Sequence, residues 1–157
     1  MSQLHFAAVN CDGIVADLDM GPAAYRILLK LRAHSEAGGR IDMDQAGIAQ
    51  LVGIARTTVI AGMRDLLLAR LLTRVRNGNY KLNAMIAGYR SPEDAVAAVA
   101  VMPAEERLTH PDFVKNYREA AAQYQDQLAE QRKKRAKAAA AKKAAAERSR
   151  RRLHAVG

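Results

Sequence analysis

The sequence predicts a mostly α-helical chain with one small β-hairpin, and three observations lead there. Between Asp44 and Leu82 runs DQAGIAQLVGIARTTVIAGMRDLLLARLLTRVRNGNYKL, in which apolar residues recur at helical intervals in two successive stretches. Asn77-Gly78 then forms the preferred two-residue hairpin turn, flanked by short β-prone runs. Beyond Gln131 the chain is rich in Lys, Arg and Ala, with high helix propensity and no apolar face. Four regions are expected: an N-terminal arm over 1–21, a helical domain with the hairpin over 22–90, C-terminal helices available for dimerisation over 91–130, and a basic helical tail over 131–157.

Taken in order, LHFAAVN reads as a short strand or an arm that packs on the domain or on a second copy. CDGIVADLDM is acidic and has no usable periodicity. Asp12, Asp17 and Asp19 match no calcium-loop spacing, so they are expected to be solvated loop carboxylates. Pro22 suits a first helical turn, and Ala24, Ile27, Leu28 and Leu31 make the inward stripe of PAAYRILLKLRAH. Gly38-Gly39 ends that helix, and Arg40-Ile41-Asp42 is expected as a small strand beside the hairpin. Asp44 is placed to cap the next helix, because its carboxylate can accept unpaired backbone N–H groups. Ile48, Leu51, Val52 and Ile54 complete the core of a three-helix unit.

Ala49, Gly53 and Val59 fall at A-x3-G-x5-V, the spacing of a helix-turn-helix. A small residue lets two helices cross, a glycine permits the turn, and a β-branched residue anchors the second helix. In that second helix Val59, Met63, Leu66, Leu67 and Leu71 should face inward, leaving Arg56, Thr57, Thr58, Ile60, Ala61 and Arg64 outside. Pairing across a two-residue turn sets Val75 against Tyr80 and Thr73 against Leu82 on an apolar face, with Arg74, Arg76 and Lys81 on the other. From Arg56 to Lys81 there are six basic residues and one acidic residue, Asp65.

Ser91-Pro92-Glu93-Asp94 combines a cap, a proline and an acidic first turn, so a helix is expected over DAVAAVAVM. That helix is apolar almost all round and requires a cover, either the domain itself or, preferably, its twin in a homodimer. Met102-Pro103 breaks it, and PAEERLTH reads as a short helical turn. From Pro111 a long helix is expected, with Phe113, Tyr117, Ala121, Tyr124 and Leu128 as its packing stripe.

The net charge of +9 resides in the tail: eleven basic residues and one acidic residue lie beyond Gln131, whereas the first 130 residues hold 14 basic and 15 acidic. Such a distribution fits a polyanion binder, and nucleic acid is the commonest case. Catalysis finds no support: there is no glycine-rich phosphate loop, no nucleophile elbow and no tyrosine served by a histidine cluster. His5, His34, His110 and His154 lie in separate elements, so surface or capping roles are expected and no metal site. A single cysteine, Cys11, suits a reducing compartment, and no stretch resembles a membrane span or a secretion signal. A cytoplasmic, bacterial nucleoid-associated protein without cofactor or evident small-molecule ligand is therefore expected.

The stretch IAQLVGIARTTVIAGMRDLLLARLLTRVRNGNYKLN resembles winged helix-turn-helix regulators of the MarR type, and its closing NGNYKLN is similar to RepL-type plasmid replication initiators. The likeness covers about Pro22 to Tyr89. Ala84 stands where the RepL group commonly has proline, and Ala55 where a serine usually caps the second helix, a loss of about 1 kcal/mol of helix stability. The resemblance implies a winged helix that binds double-stranded DNA, as a transcriptional regulator or a non-enzymatic origin-binding initiator. On that basis Arg56, Thr57, Thr58, Ile60, Ala61 and Arg64 would enter the major groove, while Arg74, Arg76, Asn77 and Lys81 would hold the flanking backbone. Non-specific phosphate contacts would come from Arg132, Lys133, Lys134, Arg135, Lys137, Lys142, Lys143, Arg148, Arg150, Arg151 and Arg152. The alternative is an interaction or assembly protein built on the long C-terminal helix, its tail contacting RNA or an acidic partner.

Overall fold

Apolar residues at three- and four-residue steps organise the helices, and small residues set how closely they cross. The computed structural model describes residues 6–156. Its helices are α1 (Cys11–Ala16), α2 (Pro22–His34), α3 (Gln45–Val52), α4 (Arg56–Leu68), α5 (Pro92–Ala100) and α6 (Phe113–Ala155), with a 3-10 turn over Ala104–Glu106. Strands β1 (Arg40–Asp42), β2 (Leu72–Arg76) and β3 (Asn79–Leu82) form an antiparallel sheet in the order β1-β3-β2. The chain divides into two units between Ala120 and Ala121. No single described helix is long and apolar enough to cross a membrane.

In the first unit, α2 buries Ala24, Ile27, Leu28 and Leu31 against Ile48 and Val52 of α3 and Val59, Met63 and Leu66 of α4. The α2–α4 crossing explains a glycine that helix propensity disfavours. A Cβ at Gly62 would fall 2.5 Å from Ile27 Cδ1, the end of a buried side chain, and 3.3 Å from the Ala24 backbone nitrogen, so any larger residue requires Ile27 to move and the two helices to give. Asp44 caps α3 as expected, its Oδ1 accepting the Gly47 N–H at 2.8 Å.

The arm expectation needs correction over residues 11–20. Cys11–Ala16 is a helix, with Cys11, Val15, Leu18 and Met20 buried. Its one-turn step from Cys11 to Val15 is obscured in the sequence by Asp12 and Gly13 between them, both exposed. Asp12 is held by Arg32 at 2.8 Å instead of standing in a solvated loop. The Tyr25 hydroxyl fastens the following bend, accepting the Met20 N–H and lying within 3.2 Å of the Val15 and Ala16 carbonyls. Of LHFAAVN, Leu4 and His5 lie outside the described residues, and Phe6 bridges to Tyr89 through two backbone hydrogen bonds of 2.8 and 2.9 Å.

The hairpin also differs from expectation. Arg76 pairs with Asn79 around the turn, but a bulge at Val75 moves the register by one residue, giving Arg74↔Tyr80, Thr73↔Lys81 and Leu72↔Leu82. Only Gly78 of the two turn residues takes a positive φ, +72°. Such a turn does not match the twist of two regular strands, and the bulge absorbs the mismatch. The buried face of the sheet is therefore Ile41, Tyr80, Leu72 and Leu82, while Thr73 joins Lys81 on the outer face.

Past the sheet, Asn83 is buried and ties three segments together. Its amide nitrogen donates to the carbonyls of Arg70, at 3.1 Å, and Glu106, at 2.9 Å, while its Oδ1 accepts the Met85 N–H. Arg70 itself sits at φ +56°, in the left-handed position that ends α4. Ser91 caps α5 as the sequence indicated. The expected cover for α5 is not found among the described residues: none of its residues is buried, Val96 is 71% exposed, and Val101 just past its end is 83% exposed.

Phe113 and Tyr117, at the start of α6, are buried in the first unit. In the second unit Ala121, Tyr124 and Leu128 are partly buried, and every described residue from Ala129 onward is exposed. The basic stretch is helical to Ala155.

Because the α2–α4 spacing rests on Gly62, Gly62→Ala should lower stability by about 1–3 kcal/mol, read from the denaturant midpoint, although alanine is the better helix former. An unchanged or raised midpoint would contradict the close-crossing account.

Candidate nucleic-acid interface

The candidate interface is built from the turn between α3 and α4 and from the hairpin of the same unit. Gly53 ends α3 at φ +71°, its N–H bonded to Ala49 O at 2.9 Å, and the chain turns so that the two helix axes differ by 104°. Val59, 0% exposed, anchors α4 on the core side. Ala55 supplies no side-chain cap, as its chemistry dictates, so the first N–H groups of α4 gain no side-chain partner there.

With Val59, Gly62, Met63 and Leu66 facing the core, the opposite face of α4 is open over its first turns. Arg56, Thr57 and Thr58 are exposed, Ile60 is 45% exposed, and Ala61 is half-buried. Arg64 is a different case. Its side chain is 32% exposed and ion-paired with Asp65 at 3.2 Å. Nearby is Tyr117, whose phenol pKa is raised chiefly by burial, then by Asp65, Tyr25 and Asp19, with Arg64 pulling the other way. Of the six α4 residues expected on the outer face, the structure thus leaves five near the open end and engages the sixth with neighbouring side chains.

The hairpin carries the second set. Arg74, Arg76, Asn77 and Lys81 are all exposed, and Arg74 donates to Asn77 Oδ1 across the turn. The bulge separates the cations, however. Lys81 and Arg76 share the outer face, whereas Arg74 pairs with Tyr80 on the other, so the expected common face for all three is corrected. Val75, placed in the apolar face by simple alternation, is 66% exposed.

Arg40, which sequence reasoning left out, lies beside Lys81 in the β1–β3 register. The polar-apolar-polar alternation of Arg40-Ile41-Asp42 was the available signal. Arg40 binds Asp42 on the same strand at 2.7 Å, which raises its pKa through the hydrogen bond and the nearby charge, and this pairing offsets part of the outer-face charge. A shallow cavity of about 590 Å³ on that face is lined by Arg40, Val75, Arg76, Asn79 and Lys81, among others.

In the second unit, the eleven expected phosphate-contacting cations, Arg132, Lys133, Lys134, Arg135, Lys137, Lys142, Lys143, Arg148, Arg150, Arg151 and Arg152, are all exposed on α6. They surround the helix instead of forming one stripe. At close to 100° per residue, Arg132 to Arg135 alone point in four directions.

Other candidate chemistry is accounted for locally. His34 Nδ1 donates to Lys30 O at 2.9 Å, and His110 Nδ1 accepts the Asp112 N–H at 3.2 Å. Cys11 is buried, and its thiol pKa is raised first by that burial and then by Asp12, with Arg32 opposing. Among the described residues no three of His, Cys, Asp and Glu are grouped to hold a metal ion. No protein-family model, curated protein or solved structure matches this chain.

Proposed function

We propose that this protein binds duplex DNA through a winged helix-turn-helix, acting without enzymatic chemistry as a transcriptional regulator or a plasmid-type replication initiator. The observation that carries the reading is the open face at the head of α4. Its inner side is locked in the core by Val59 and Met63, while Arg56, Thr57, Thr58 and Ile60 remain exposed on a rigid helix. A helix reads the major groove with its N-terminal turns, and that end of α4 is the uncovered one. The basic hairpin of the same unit supports the reading, with Arg74, Arg76 and Lys81 available to phosphate oxygens and Asn77 at the tip. The tail of α6 adds cations without base-reading geometry, so its contribution is affinity and association rate.

A second reading follows from α5. Val96 on α5 and Val101 just beyond its end are both exposed apolar side chains, which favours an assembly role in which copies or partners meet there. The two readings are compatible if the DNA-binding form is a homodimer.

Two measurements test the proposal. Arg56→Ala should change which duplex is preferred after selection from a random pool, whereas Lys81→Ala should weaken all duplexes to a similar extent. Equal, unselective losses from both would remove Arg56 from the base-reading role. Replacing Arg132, Lys133, Lys134 and Arg135 with glutamine in the full chain should flatten the dependence of log K on log salt, by up to about 0.9 for each phosphate these cations neutralise. An unchanged slope would mean that these four cations do not touch the duplex.

A further inference from the structure

We infer that the proposed interface recognises thymine through its 5-methyl group, with Ile60 as the specificity-determining residue. The inference rests on the duplex-binding reading above and adds the base that the site prefers. Arg56, Thr57, Ile60 and Ala61 form the open part of the α4 face, since Arg64, one turn beyond Ile60, is ion-paired with Asp65 and lies near Tyr117. From Arg56 to Ala61 the helix reads RTTVIA and contains no amide and no carboxylate side chain. Adenine is bound in two-point fashion by Asn or Gln, and the cytosine amino group is best accepted by Asp or Glu, so neither base has its usual partner here.

What the face does offer is one guanidinium, the hydroxyls of Thr57 and Thr58, which suit any base edge, and a run of methyl groups. Arg56 suits guanine O6 and N7 or a phosphate, whereas Ile60, 45% exposed and surrounded by the methyl-bearing Thr57 and Ala61, has an all-carbon side chain that can make only apolar contact. Ile60 borders the buried stripe of α4 yet keeps 45% of its surface open, so apolar area remains there for a partner to cover. In the major groove the thymine methyl is the one apolar group a base pair presents, so contact between the two removes both from water. The proposed site is therefore a guanine, or a phosphate contact, at the Arg56 end with one or more thymines under Ile60.

The test uses the full chain and the duplex recovered by selection from a random pool. Each thymine is replaced in turn by deoxyuridine, which removes the methyl and leaves every hydrogen-bonding group in place. Affinity is measured for the wild type and for Ile60→Ala, whose fold is checked by thermal melting, with Ile60→Val as a second, gentler variant. At the contacted thymine the wild type should bind about fourfold more weakly, the equivalent of one buried methyl at about 0.8 kcal/mol. Ile60→Ala should weaken less than about twofold from the same swap, and Ile60→Val by an intermediate amount. If a preferred duplex is found but every uridine swap leaves the wild type unaffected, or weakens both proteins equally, the thymine inference is overturned and the duplex-binding reading stands. A pool that yields no preferred duplex overturns both.

Discussion

The near-contact of α2 and α4 at Gly62 is the constraint on which the rest of the first unit depends. With no side chain there, Ile27 and Ala24 pack against the α4 backbone itself, and the inner stripe of α4 is fixed in rotation as well as position. The 104° turn at Gly53 and the Asp44 cap then set where α4 begins. Together these leave the first turns of α4 outside the core, and they leave no freedom to exchange the exposed residues for the buried ones. A site proposed on that helix is therefore pre-organised, so little conformational entropy remains to be lost on binding.

Charge is distributed in two different ways, and each suits a different task. In the first unit cations are few and placed by specific geometry: Arg56 by the start of a helix, Lys81 and Arg76 by strand register, Arg74 by its bond to Asn77. Some are partly offset by acids, as with Arg40 and Asp42 or Arg64 and Asp65. In the second unit, cations surround a helix that has no apolar stripe, and the charge there has no preferred direction. Under the duplex-binding proposal, the first arrangement supplies register and sequence choice while the second supplies salt-dependent attraction.

Much of the helical framework was legible in the sequence because its signals are local. Pro22, the stripe from Ala24 to Leu31, the caps Asp44 and Ser91, the left-handed Gly53 and the strand at Arg40–Asp42 each follow from a few neighbouring residues. Part of what escaped was set by contacts distant in sequence. The bulge at Val75 follows from the turn conformation, in which only Gly78 takes a positive φ, and no residue type announces it. Gly62 reads as a weak point in a helix until Ile27 is known to lie across from it. Helix α1 hid its two buried positions beside Asp12 in a single short turn, and Asn83, at the end of a strand, joins Arg70 to Glu106 across long separations in the chain. The candidate site shows the same division. Exposure of Arg56, Thr57, Thr58 and Ile60 followed from helical periodicity, whereas the pairing of Arg64 with Asp65 and its closeness to Tyr117 did not.

Under the duplex-binding proposal, the head of α4 and the tip of the hairpin lie against a double helix. Backbone hydrogen exchange of the full chain, compared with and without a selected duplex, tests it directly because the readout is positional. Slowed exchange is expected over residues 54–61 and 74–78, with α5 unchanged at concentrations where the oligomeric state is constant. Slowing confined to α6, or centred on α5 with the α4 head unaffected, would contradict it.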